Sequence, residues 1–187
     1  TAVTQVGTES AVIVYFAKDI WRIISRWSLA LVGKLPQSDP DVRMGWMVIV
    51  GSLPIAVLGL LFEGAIDSGL RNLWITAAML AGVAIVLAVA DRVARNERTI
   101  DQLTWKHAIS LGFWQALALI PGVSRSGATI SGGLFMGYRR EVAARYAFLL
   151  AVPAVMAPGL YKPKDTGDDA TAAWGPTLLA TGIAFVI

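Results

Sequence analysis

The sequence predicts an all-α polytopic membrane protein, built of transmembrane helices plus one re-entrant helix-loop-helix hairpin. Three observations predict it. Hydrophobic residues make up 56% of the 187 and charged ones only 16%, with seven tryptophans and a mean hydropathy of +0.61, a balance that suits lipid as solvent better than water. The apolar residues gather into runs divided by short charged loops. One of those runs, over 108–120, is too short to cross a bilayer and stops at Pro121-Gly122.

In chain order, residues 1–17 read as a first span, apolar except for Gln5, Thr8 and Glu9, with no initiator methionine and no charged leader. Lys18 to Arg43 is polar and basic, and its amphipathic piece around Ile20-Trp21-Ile23-Ile24-Trp27 is expected to lie along the interface. Residues 44–62 form a second span, with Pro54 as a tolerated kink. After a short polar connection, residues 73–90 form a third, long enough for a hydrocarbon core of roughly 30 Å. Residues 91–104 are a charged loop. The hairpin follows over 105–137: its first limb reaches roughly 20 Å at 1.5 Å per residue, and a helix is expected to restart near Ser126. Spans at 142–161 and 173–187 complete a single membrane domain, 1–187, whose ends both read as truncated.

The basic residues test this layout. Lys18, Arg22, Arg26, Lys34 and Arg43 occupy the first loop, Arg92, Arg95, Arg98 and Lys106 the third, and Arg139, Arg140 and Arg145 the stretch after the hairpin. The other two loops hold only Arg71, and Lys162 with Lys164. The positive-inside rule makes the three rich loops cytoplasmic, which requires 105–137 to enter and leave on one side. Trp21, Trp27, Trp46 and Trp105 then fall near the inner interface, and Trp74 and Trp174 near the outer one.

Several function classes are excluded. Without cysteine there is no disulfide or thiol chemistry, and with one histidine there is no multi-histidine metal site within the chain. The formal charge of +3 comes from dispersed residues, so no nucleic acid is expected as a partner. Membrane lipids are.

Two ionisable residues remain at membrane depth, Arg125 at the hairpin tip and Glu9 in the first span. An intramembrane charge costs at least ~2.5 kcal/mol and marks function by default. Around Arg125 stand Ser124, Ser126 and Thr129, with Gly122 and Gly127 to let backbone approach a ligand. A guanidinium fork, hydroxyls and a helix N-terminus together suit a phosphorylated lipid headgroup. The alternative is that Arg125 pairs with Glu9 or with carbonyls merely to hold the hairpin. Gly132, Gly133 and Gly137 read as close-packing positions, with Gly133-x-x-x-Gly137 as a small-residue seam.

The run Gln115-Ala-Leu-Ala-Leu-Ile-Pro-Gly-Val-Ser-Arg-Ser-Gly-Ala-Thr-Ile-Ser-Gly-Gly133 resembles the second signature of the undecaprenyl-diphosphate phosphatase (bacitracin-resistance) family. Thr4-Gln-Val-Gly-Thr8, Pro54-Ile-Ala-Val-Leu-Gly-Leu-Leu-Phe62 and Phe148-Leu-Leu-Ala-Val-Pro153 extend the likeness along the chain. The resemblance implies a multi-pass protein of the bacterial inner membrane, with its site opening to the periplasmic side. It further implies six transmembrane helices and two re-entrant hairpins in an inverted repeat. Against that pattern this chain reads as half of the architecture, with the N-terminal hairpin and the last helix missing. The implied reaction is hydrolysis of a polyprenyl diphosphate to the monophosphate, assisted by a divalent cation, Mg or Ca.

By the same resemblance Arg125 clamps the diphosphate, and Ser124, Ser126 and Thr129 orient its oxygens. Ser124 as a nucleophile is the weaker option, because activation needs a partner. Gln115 is either a headgroup ligand or an interhelical hydrogen bonder, and Glu9 either lines the cavity or forms an ion pair. His107 is expected at the inner interface, without a catalytic role. A polyprenyl-phosphate flippase or transporter using the same headgroup site is the alternative function, and a structural membrane subunit the blandest one. A homodimer is compatible with the sequence.

Overall fold

The computed structural model describes residues 2–62, 73–161, 179–180 and 182–184, with only the backbone described for 2–6, 8, 9 and 155–161. The expected connections at 63–72 and 162–172, most of the last span, and Trp174 lie outside these residues. Within them the fold is helical, with no strand beyond one isolated bridge. The helices are α1 (Ala2–Tyr15), α2 (Ala17–Leu31), α3 (Pro40–Leu61), α4 (Leu73–Val93), α5 (Trp105–Ala116), α6 (Arg125–Phe135) and α7 (Arg140–Tyr161). Short 3₁₀ turns occupy Ile100–Gln102 and Leu117–Leu119.

α3 and α4 are long and apolar enough to cross a membrane. Along α4 only Ala90 is buried, while Leu80, Ile85 and Val89 stand exposed. An apolar face of that length is stable in lipid, not in water.

α2 runs the length of the amphipathic piece and beyond it, and arginines on it tie it to the start of α3. Its Arg22 pairs with Asp41 at 3.2 Å, and Arg26 reaches Asp39, with Nε at 3.1 Å from Oδ1. Asp39 also caps α3, accepting from the backbone N–H groups of Asp41 and Val42, with Pro40 in the first helical position. The guanidinium of Arg26 holds the Asp39 carboxyl below the usual range, against an opposing contribution from burial. One side chain therefore starts α3 and fastens α2 to it.

The core lies where α3, α5 and α7 meet, and small residues make the meeting possible. A Cβ on Gly112 would sit 2.2 Å from the carbonyl oxygen of Gly51, so α3 and α5 touch backbone to backbone. Tyr146 of α7 is buried and donates from its hydroxyl to the Met47 carbonyl at 2.9 Å. Gly133 packs against Ala143 as expected of a close-packing position, and Gly132 against the Trp114 indole. Gly137 corrects the expected seam. Its φ is +81° and nothing lies within 4 Å of where its Cβ would be, so it serves to turn the chain after α6, where the left-handed region favours glycine.

α5 and α6 form a helical hairpin whose two ends meet. The Gly137 carbonyl accepts from Glu97 N–H at 3.1 Å and Arg98 N–H at 2.9 Å, and Arg139 N–H donates to the Arg98 carbonyl at 3.0 Å. Arg140 pairs with Asp91 at the end of α4. At the other extreme, Gly122 lies against Thr76, in the first turn of α4, and Leu119 approaches Gly59 near the end of α3. Residues 76 and 91 are roughly 22 Å apart along a helix. The hairpin thus starts and finishes at one end of α4 and turns near the other.

Candidate functional site

The hairpin tip is built from a turn and a helix start. Leu117–Leu119 tightens the end of α5, and Gly122 turns the chain with φ +94°. A Cβ there would fall 2.3 Å from the Thr76 carbonyl oxygen. Expected to admit a ligand, Gly122 is required for a different reason: it lets the tip lie flat on α4. Ser124 then caps α6, accepting from Gly127 N–H at 3.2 Å. Gly127 is packed between Ser124 and Val83 of α4.

Arg125 is the first residue of α6, half-buried and engaged in the fold. Ser124 is exposed, and its Oγ lies 3.5 Å from that of half-buried Ser126. Both hydroxyls and the guanidinium therefore belong to the opening turn of one helix. That turn supplies N–H groups with no intrahelical acceptor and the positive end of the dipole. The helix expected to restart near Ser126 begins at Arg125, with Ser124 as its cap.

Thr129 is placed differently from the expectation. Its hydroxyl donates to the Arg125 carbonyl at 2.9 Å and the residue is buried. It faces the helix and fixes the backbone that carries Arg125. Ser131, two residues on, makes the same kind of back-bond, donating to the Gly127 carbonyl at 2.7 Å. A hydroxyl bonding back four residues bends a helix slightly, and two in succession mark α6 as adapted to the tip.

Gln115, in the last turn of α5, is 0% exposed, and neither atom of its amide has a hydrogen-bond partner. The interhelical bond weighed for it is not made among the described residues. Burying an amide unpaired costs ~1–3 kcal/mol, so a group of this kind calls for an explanation. The side chain of Glu9 lies outside the described residues, although its backbone belongs to α1.

Sequence reasoning missed the fastening at the hairpin's base. Tyr138 donates from its hydroxyl to the Gln102 carbonyl at 3.2 Å, which leaves its oxygen to accept from His107 Nδ1 at 2.7 Å. The Arg98 guanidinium lies 3.3 Å from His107 Nε2 and 5.9 Å from the centroid of the Tyr138 ring. Burial, and then the Arg98 charge, push the His107 pKa below its ordinary value. His107 thus sits at the base, remote from the tip. A tyrosine directly after the turn glycine was the available signal.

Among the described residues no three His, Cys, Asp or Glu side chains gather to hold a metal ion. The tip's own oxygens are hydroxyls and one amide, poor ligands for a hard divalent cation compared with carboxylates or phosphate.

The family model described as bacitracin resistance protein BacA matches residues 1–187. The chain belongs to the BacA family. A Micrococcus luteus relative named undecaprenyl-diphosphatase is 58% identical over 191 residues, covering 100% of this chain and 69% of its own. A Kineococcus radiotolerans relative of the same name is 56% identical, covering 100% and 67%. Undecaprenyl-diphosphatase 2 of Streptomyces coelicolor is 53% identical, covering 99% and 68%. BacA family membership also accounts for the apolar surface, since these are membrane proteins.

Proposed function

We propose that the chain hydrolyses undecaprenyl (polyprenyl) diphosphate to the monophosphate and inorganic phosphate, returning the lipid carrier for cell-wall synthesis and conferring bacitracin resistance. What carries the reading is the opening turn of α6, where Ser124, Arg125 and Ser126 meet a helix N-terminus, within a chain 58% identical to an undecaprenyl-diphosphatase.

The diphosphate is held at that turn. The Arg125 guanidinium takes phosphate oxygens and offsets the charge that gathers on them as the phosphoanhydride breaks. Ser124 and Ser126 donate hydroxyls to the same oxygens, and Ser124 as a nucleophile stays the weaker option, since no described residue stands by to take its proton. Thr129 acts by positioning Arg125, while Gly122 and Gly127 hold the turn against α4. Gln115 offers its buried amide to the headgroup from the first limb, and Glu9 lines the cavity from α1. Among the described residues no carboxylates gather into a cation site. The divalent ion implied by the resemblance, Mg or Ca, would bind through the diphosphate oxygens and offset their charge. Turnover sensitive to chelators, together with no ion binding by lipid-free protein in calorimetry, is the expected pair of results.

The hairpin is read as re-entrant, one of the pair in the inverted repeat that the resemblance implies. Its base, with Arg98, Arg139 and Arg140, lies on the cytoplasmic side of a bacterial inner membrane, and its tip opens to the periplasm. Self-association as a homodimer is part of the same proposal, tested by cross-linking in membranes.

Phosphate release in detergent, where transport has no meaning, separates the hydrolase from the flippase or transporter that would use the same headgroup site. Release from undecaprenyl diphosphate is the expected result. Binding without release would favour the carrier.

A further inference from the structure

The hairpin tip and the first half of α4 run in step. Gly122 lies against Thr76 and Gly127 against Val83, so Ser124, Arg125 and Ser126 fall between two points of contact with α4. Side chains three and four apart share a helix face, and two residues of α4 therefore neighbour both of those points. Met79 comes three after Thr76 and four before Val83, and Leu80 four after and three before. They flank the contact line on opposite sides. Met79 is half-buried, whereas Leu80 is 58% exposed. Among the described residues, one side of the tip is thus covered along α4 and the other is open, and Leu80 stands at the open side.

That open side has a shape. Ala77 and Ala84, three before and four after Leu80, are exposed as well. Leu73, seven before it, is also exposed, so a leucine ridge borders a shallow strip where α4 carries only methyl groups. What leaves the tip there follows from the chemistry of a polyprenyl diphosphate. Its chain is esterified to the inner phosphate, so the first isoprene unit begins next to the oxygens that the tip holds. In lipid a chain gains little by touching leucine in place of another chain. What a helix surface imposes on it is a path, and it does so by shape.

We propose that Leu80 sets the exit path of the polyprenyl chain: the diphosphate sits at residues 124–126, and the first isoprene units run over the strip bordered by Leu80, Ala77 and Ala84. The inference deepens the headgroup site proposed above and rests on it. The occupant is the substrate's own chain, because the strip is continuous with that site at the flank the described residues leave open.

Binding and turnover are read separately. In native mass spectrometry of the full chain in detergent, Leu80→Trp should weaken retention of undecaprenyl diphosphate about tenfold, since added bulk on the ridge obstructs the strip. Ile85, also exposed, lies two residues past Val83 and so on the far face of α4. Ile85→Trp should bind the lipid as the parent does. Inorganic diphosphate, a headgroup with no chain, should be retained equally by the parent and by Leu80→Trp. Undiminished retention of the lipid by Leu80→Trp, or an equal loss in Ile85→Trp, would overturn the exit path. So would a parallel loss of inorganic diphosphate, which would make Leu80 part of the headgroup site. Because the readout is retention, a parent that holds the lipid without releasing phosphate fails the hydrolase reading alone.

Discussion

The base and the tip of the hairpin are made from the same kinds of residue and are bonded in different ways. At the base, Arg98, His107 and Tyr138 satisfy one another and the Gln102 carbonyl, and the two ends of the hairpin exchange backbone hydrogen bonds. At the tip, the Gln115 amide is buried with no partner among the described residues and the Ser124 hydroxyl is exposed to its surroundings. A polar group buried without a partner is a standing cost that calls for an explanation. The base is bonded within itself, and the tip keeps polar groups that the described residues leave unsatisfied.

The contrast breaks most visibly at Arg125. Arg125→Ala should lower phosphate release by about 10³-fold, in line with the loss of a group that stabilises transition-state charge, while expression and thermal stability persist; retained turnover would remove it from the mechanism. Gly122→Ala comes next. It places a Cβ 2.3 Å from the Thr76 carbonyl in a backbone of φ +94°, a conformation that alone costs ~1–2 kcal/mol for other residues. The tip should lift from α4, and turnover should fall by about one to two orders of magnitude while the base stays folded, as read by protease resistance.

Gln115→Leu sharpens the comparison because its two readouts move in opposite directions. Removing an unpaired buried amide should leave thermal stability equal or higher, while turnover falls about tenfold through loss of the headgroup contact. A drop in stability with unchanged turnover would return Gln115 to a structural role. Tyr138→Phe is the mirror image at the base: it should cost about 1 kcal/mol in stability with turnover per folded molecule retained.

The smallest effect concerns Asp39. Its folded pKa is depressed by Arg26, so its contribution is present above the unfolded carboxylate pKa and is lost as pH falls through the lower folded value. Asp39→Asn should flatten the dependence of melting temperature on pH below about 4 and leave the tip untouched.

The hairpin was legible in the sequence because its signals are local: the limb lengths, the Pro121-Gly122 stop, and the hydroxyl and arginine beside it. The contacts that set its depth were not legible, since Gly122 on Thr76 and Gly112 on Gly51 join residues 46 and 61 positions apart. Nothing in a helical pattern states which glycine meets which backbone. Thr129 is a different case: four residues after Arg125, its back-bond to that carbonyl is a local preference of threonine, and the attraction of a third hydroxyl for phosphate hid it. Gly137 misled for a similar reason, because glycine's spacing from Gly133 imitates a packing seam while its position after α6 demands a turn.

The chain has no cysteine, so the disposition of base and tip is open to direct measurement by single-cysteine labelling. Ser126→Cys should react with a membrane-impermeant maleimide added outside intact cells and be protected by undecaprenyl diphosphate, whereas Arg139→Cys should react only after the membrane is opened. Labelling of position 139 from outside, or a rate at 126 indifferent to the lipid diphosphate, would contradict a tip that waits for that headgroup.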